Sequence, residues 1–228
     1  MLMSDTTTIG LKNIDPDDIS DVLVKVQKSF GFKFNDTDLK DIKTFGELCD
    51  LVTNKIQGDN TNDCTTQQAF YKLRNAIAET LQIDKSNITT DSDLQRLFPR
   101  HKRRHQISTI SHLLGFKTNI LRPKHWVSGT LIVVLLASFA GLFFYWQAGL
   151  LGIAFSILGF RVADKFASEL DLQTVGQVAE KISRENYLKV RRNPATVNKI
   201  EIAKQVEALF HNDLDLEETE LTRHSAFK

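Results

Sequence analysis

The chain is predicted to be all-α: two small helical domains that repeat one another, plus a two-helix transmembrane hairpin. Three observations predict this. Two uncharged apolar stretches lie in mid-chain, amphipathic runs opening on Thr or Asp fill much of the remainder, and those runs repeat one another. With 228 residues, of which 25% are charged and 42% hydrophobic, there is room for one or two small domains beside the hairpin. A net charge of +1 supplies no global field for nucleic acid or membrane, so any electrostatic role is local.

The elements follow in order. Residues 1–12 are polar and lack the apolar core of a signal peptide, so both soluble parts are expected in the cytoplasm. Ile14-Asp15-Pro16-Asp17-Asp18 starts a helix that runs on through residues 22–34. The carboxylates of Asp15, Asp17, Asp18 and Asp21 suit its positive end better than they suit a metal or general-base role. Thr44-Phe45-Gly46-Glu47-Leu48 opens a second amphipathic helix with Thr as N-cap. Cys49 falls on the apolar stripe of that helix as a small hydrophobe, and Cys49 with Cys64 is too few for a disulfide framework.

The hairpin comes from residues 127–146 and 148–162. The first stretch has the roughly twenty uncharged residues that cross a hydrocarbon core of about 30 Å. The second is shorter and spans if Arg161 snorkels. Arg100, Lys102, Arg103, Arg104, Arg122 and Lys124 precede the pair, and Arg161 and Lys165 follow it. The turn carries no charge, which places both outer ends, and so both termini, on the cytoplasmic side of an inner membrane. Trp126 at one interface and Tyr145 with Trp146 at the other form the aromatic belt. Leu131–136 and 142–144 are apolar all round, unlike the single stripe of a soluble helix.

The repeat is the strongest long-range signal. Lys28-Ser29-Phe30-Gly31-Phe32-Lys33 matches Leu113-Leu114-Gly115-Phe116-Lys117, with Leu23 and Val26 against Ile107 and Ile110. Thr44-Phe45-Gly46-Glu47-Leu48 matches Thr174-Val175-Gly176-Gln177-Val178. Leu73, Ile77, Leu81, Ile83, Ile88, Thr89 and Ser92 match Val206, Phe210, Leu214, Leu216, Leu221, Thr222 and Ser225 without a gap.

These pieces resemble the acyl carrier protein family. Leu81-Gln82-Ile83-Asp84-Lys85-Ser86-Asn87-Ile88-Thr89-Thr90-Asp91-Ser92 is similar to the phrase that ends the family's first helix, and Ile42-Lys43-Thr44-Phe45-Gly46-Glu47-Leu48 to the start of its last. Ile14-Asp15-Pro16-Asp17-Asp18 looks like a divergent bacterial carrier-like branch. The resemblance implies two four-helix domains: residues 1–58 plus 198–228, circularly permuted so that the C-terminus supplies the first helix, and residues 66–121 plus 171–184, interrupted by the hairpin at 127–166. Close chain ends make such permutation tolerable.

The family attaches phosphopantetheine to a Ser at the start of its second helix, where the helix N-terminus favours phosphate. The repeat puts Pro16 and Arg100 there, and neither has a hydroxyl. Ser92 in Asp91-Ser92-Asp93-Leu94 imitates the attachment motif but falls in the loop after the first helix, and Ser20, Ser108 and Ser111 lie further along the second helices. No cofactor, metal or catalytic residue is therefore expected, and the chain is not expected to be an enzyme. His101 and His105, one turn apart, sit among Arg and Lys that repel a cation. Neither a glycine-rich phosphate loop nor a nucleophile elbow is present.

The run Pro99-Arg100-His101-Lys102-Arg103-Arg104-His105 offers a contact site. Arg100, Lys102, Arg103 and Arg104 either hold anionic headgroups or an acidic partner, or act only as the positive flank that orients the hairpin. Nucleic acid fits poorly, because no aromatics interleave with the charges. The reading is a non-catalytic, membrane-anchored module that meets membrane lipids and a cytoplasmic protein partner. Its alternatives are a genuine acyl carrier with its serine elsewhere, or an immunity-type membrane protein that blocks a toxin.

Overall fold

The computed structural model describes residues 11, 14–35, 37–193, 195–216 and 221–227. The polar N-terminus lies outside these apart from Leu11, as do residues 217–220 of the C-terminal loop. Among the described residues the chain is mostly helical, with ten helices: α1 Pro16–Phe30, α2 Phe45–Lys55, α3 Thr65–Leu81, α4 Leu94–Leu97, α5 Arg103–Leu114, α6 His125–Gly141, α7 Trp146–Lys165, α8 Val175–Glu185, α9 Tyr187–Val190 and α10 Lys199–Leu214. Four two-residue strands make two pairs: β1 Asp59–Asn60 parallel to β4 Thr196–Val197, and β2 Leu121–Arg122 antiparallel to β3 Glu169–Leu170. Two compact units emerge, Met1–Lys72 with Ala179–Lys228, and Leu73–Val178.

In the first unit, α1 opens on Pro16 at its first position, where the missing N–H costs nothing, and the Asp15 carboxylate accepts the Asp17 N–H at 2.9 Å. It ends at Gly31, whose φ of 67° is the left-handed conformation that glycine adopts freely. Val22, Val26 and Phe30 on α1 share one core with Phe45, Leu48 and Val52 on α2 and with Ile202, Val206, Leu209 and Phe210 on α10. The Phe210 ring lies edge-on to Phe45 at 5.1 Å. The segment at 221–227 docks on the start of α2: Phe45 N–H donates to Ser225 O at 2.9 Å and Gly46 N–H to Arg223 O at 2.8 Å. A Cβ at Gly46 would sit 2.8 Å from that same Arg223 oxygen, so the close approach requires glycine.

The same unit buries Arg191. Its guanidinium donates to Thr65 Oγ1 at 2.9 Å, Thr61 Oγ1 at 2.8 Å and Thr196 Oγ1 at 3.0 Å, tying β4 and the residue after β1 to the start of α3. Lys72 Nζ closes the end of α9 by donating to the Lys189 and Arg191 carbonyls at 2.9 and 3.0 Å.

The second unit repeats these local solutions. Thr174 and Gln177 form the same reciprocal cap as Thr44 and Glu47, each Thr Oγ1 accepting the N–H three residues on at 3.3 Å. Gly176 N–H donates to Thr90 O at 2.7 Å and Val175 N–H to Ser92 O at 3.1 Å, as Gly46 and Phe45 do in the first unit. Helices α3 and α10 end alike, on Gln82 at φ 54° and Asp215 at φ 52°. Both following loops close with a serine: Ser92 Oγ and Ser225 Oγ each accept the N–H three residues earlier at 2.9 Å. Ile77, Ile88, Leu94, Phe98, Ile107, Ile110, Val175 and Val178 are buried in this unit.

Candidate functional site

Helices α6 and α7 form an antiparallel pair whose seam is built from small residues. Added Cβ atoms show the pairing: at Gly149 one would strike Leu142, at Gly152 Ser138, and at Gly159 Leu131. Gly149, Gly152, Ser156 and Gly159 recur along α7 at the three- and four-residue spacing of one face, so the two backbones approach closely. The hydroxyls in the pair spend their protons within their own helices, Ser138 Oγ on Val134 O at 2.6 Å and Ser156 Oγ on Gly152 O at 3.0 Å. Neither of these two hydroxyls is then left for an apolar surrounding to penalise.

The outer faces are apolar and bare. Val133, Leu136 and Phe139 on α6 and Leu151, Phe155 and Leu158 on α7 are exposed, and the tip is an aromatic quartet, Phe143 (91% exposed), Phe144, Tyr145 and Trp146. The turn at 142–145 differs from the expected one around Gln147, so the apolar stretch 127–146 is not a single helix: α6 stops at Gly141 and Trp146 already belongs to α7. The seam decides this, because only a turn there brings Gly152 opposite Ser138 and Gly159 opposite Leu131. Among the described residues α7 alone is long and apolar enough to cross a membrane; α6, at 17 residues, is shorter.

The base of the hairpin is a polar neck. β2 and β3 pair with Leu121 opposite Leu170 and Arg122 opposite Glu169, and Arg122 Nε meets Asp171 Oδ1 at 2.6 Å. The four basic residues singled out from sequence take four different positions around it. Arg100 is ion-paired with Glu169, whose carboxyl it holds below the usual range through a direct hydrogen bond. Lys102 is exposed just before α5 and makes no side-chain cap. Arg103 is buried, its Nε donating to Phe98 O at 3.0 Å and its NH1 to Ser168 O at 2.8 Å. Arg104 is exposed, donates to Lys165 O at 2.8 Å and stacks 5.0 Å above the Phe166 ring. Sequence reasoning treated the run as one patch; the structure leaves Lys102 and Arg104 as its outward cations and brings in Arg122, Lys124 and Lys165, all exposed near the same neck.

Of the two positions that the sequence repeat set at the start of a second helix, Pro16 is the first residue of α1 and Arg100 lies in the turn before α5. Ser92 Oγ is engaged with Thr89, accepting its N–H at 2.9 Å with the Thr89 hydroxyl 3.3 Å away. Asp93, beside it, caps the four-residue α4 by accepting the Gln95 N–H at 2.6 Å. No group of His, Cys, Asp and Glu suited to a metal ion is found among the described residues. Cys49 is buried, which pushes its thiol up to about 12, while Cys64 is exposed. No protein-family model, curated protein or solved structure matches the chain.

Proposed function

We propose that this protein is a non-catalytic, membrane-anchored docking module, built from two degenerate acyl-carrier-like domains and held at the cytoplasmic face of a membrane by the α6–α7 hairpin. The observation that carries the anchor is the hairpin's combination of a tight small-residue seam with apolar outer faces. In water each large apolar side chain left bare forgoes roughly 1.5–3 kcal/mol of burial, and more than ten are bare here. A lipid surrounding removes that cost, and a small-residue seam is how helices associate in lipid, where apolar contact alone gives no preference. The charges agree: Arg122, Lys124 and Lys165 gather at the open end and none lies in the turn.

The docking role is supported by what the carrier-like copies keep and what they lack. Both keep the capped helix starts and the serine-closed loop, and both lack a hydroxyl at the helix start that would take a phosphopantetheine arm. A copy without its arm has only its surface to offer, which suits binding a protein partner. The test has two arms. Replacing residues 125–165 by a short Gly-Ser linker leaves the β2–β3 neck to hold the chain, and that variant is expected in the soluble fraction while the full chain resists alkaline carbonate extraction. Intact mass of protein from its native host is expected to show no phosphopantetheine. A stoichiometric increment on any serine would make it a genuine carrier.

A further inference from the structure

A cleft of about 620 Å³ opens beside the hairpin base, between α5, the segment 117–121 and the last turn of α7. Three cations line it, Arg104, Lys117 and Lys165, with the hydroxyls of Ser108, Ser111 and Thr118 among them. Asp164 is the single carboxylate in the lining, so the wall carries an excess of two positive charges. Ser111 Oγ and Thr118 Oγ1 lie 3.2 Å apart, and Ser111 Oγ accepts the Thr118 N–H at 3.4 Å, which fixes the hydroxyl pair against the wall. Arg104 is fixed too, by its bond to Lys165 O and its stacking on Phe166. A guanidinium has five N–H groups, so that single bond leaves donors for an anion.

We propose that this cleft binds the phosphate of an anionic phospholipid headgroup, with a phosphomonoester such as that of phosphatidic acid favoured over a zwitterionic diester. Two surplus charges and the fixed Ser111–Thr118 hydroxyl pair match a phosphomonoester that carries nearly two negative charges, whereas a choline group would bring a further cation towards Lys117 and Lys165. Position selects lipid as the source of the phosphate, and here the inference rests on the membrane reading. Asp164 and Lys165 are the last residues of α7, two beyond the apolar Val162, so the cleft opens at the depth where headgroups lie. The exposed rings of Phe166 and Trp126 stand at the same end of the hairpin, as interface aromatics do.

The test uses the full chain in a neutral detergent, titrated by calorimetry with dihexanoyl phosphatidic acid, dihexanoyl phosphatidylcholine and inorganic phosphate. Phosphatidic acid is expected to saturate a single site. Lys117→Gln and Lys165→Gln are each expected to weaken it about fivefold, the effect of one basic residue at an anionic surface, and Lys85→Gln, outside the cleft, is expected to leave it unchanged. Equal binding of phosphatidylcholine, or glutamine variants that bind as the parent does, would overturn the site. Inorganic phosphate binding as tightly as the lipid would overturn the headgroup assignment in favour of free phosphate. Failure of the anchor reads out separately: a chain released by carbonate that still binds phosphatidic acid keeps the cleft and loses the membrane.

Discussion

Arg103 and Arg104 are adjacent in sequence and opposite in environment. Arg103 is buried against two backbone carbonyls on different segments, so Arg103→Ala orphans both acceptors and is expected to lower stability by about 1.5–3 kcal/mol, the usual worth of a charged hydrogen bond. Lys102→Ala, on the exposed side, is expected to change little; urea denaturation of the two variants checks the contrast. Glu185 gives a pH signature. Burial raises its carboxyl above the usual range, while Lys181, Arg184 and Lys25 lower it and Asp213 raises it. Between the unfolded value and that raised value the native state holds the proton more tightly than the unfolded chain. Stability therefore falls as pH rises through this window, and the loss is complete above it. Glu185→Gln removes the effect, so its gain in melting temperature over the parent is expected to be larger at pH 7 than at pH 4.

At the scale of elements, the α6–α7 seam depends on having no side chain at Gly152 and Gly159. Gly152→Leu would drive a branched chain into Ser138, and overpacking of this kind costs about 1–3 kcal/mol. Leu151→Ala, one residue away and 73% exposed, removes nothing that the seam uses. Thermal unfolding in detergent is expected to separate the two, with Gly152→Leu lowering the midpoint and Leu151→Ala leaving it in place. The caps of α2 and α8 show why their helices start where they do. Thr44 and Thr174 each satisfy an N–H that has no partner inside the helix, and Glu47 and Gln177 return the bond.

For the molecule as a whole, the first unit takes its core from both ends of the chain. Phe210 is fully buried between Phe45 and Phe227, with its helix packed on α1 and α2. Phe210→Ala is expected to cost about 3–5 kcal/mol and to unfold residues 14–56 together with α10 in one transition. Hydrogen exchange reads this directly: amides of α1 and α2 would lose protection in step with those of α10. A variant in which α10 alone loses protection would show that the C-terminal segment is an appendage of that core.

The sequence by itself determined the helices, their caps, the apolar hairpin and the repeat, because each rests on interactions within a few residues. Thr44 as the N-cap of α2 and Pro16 in the first turn of α1 are read from neighbours in the chain, whereas the run expected to continue to residue 34 stops at Phe30, where Gly31 turns left-handed. The tertiary structure alone decided which polar side chains leave water. Arg103 is held by Ser168, 65 residues away, and Arg191 by Thr61, 130 residues away, and no local pattern distinguishes either from an exposed arginine beside it. The hairpin turn was decided in the same way. Apolar residues continue through 142–146 without a break, and only the fit of Gly149, Gly152 and Gly159 against the facing helix sets where the chain reverses. The cleft at the hairpin base was not legible either. Its cations come from α5, from the segment after it and from the far end of α7, and folding brings them to one wall.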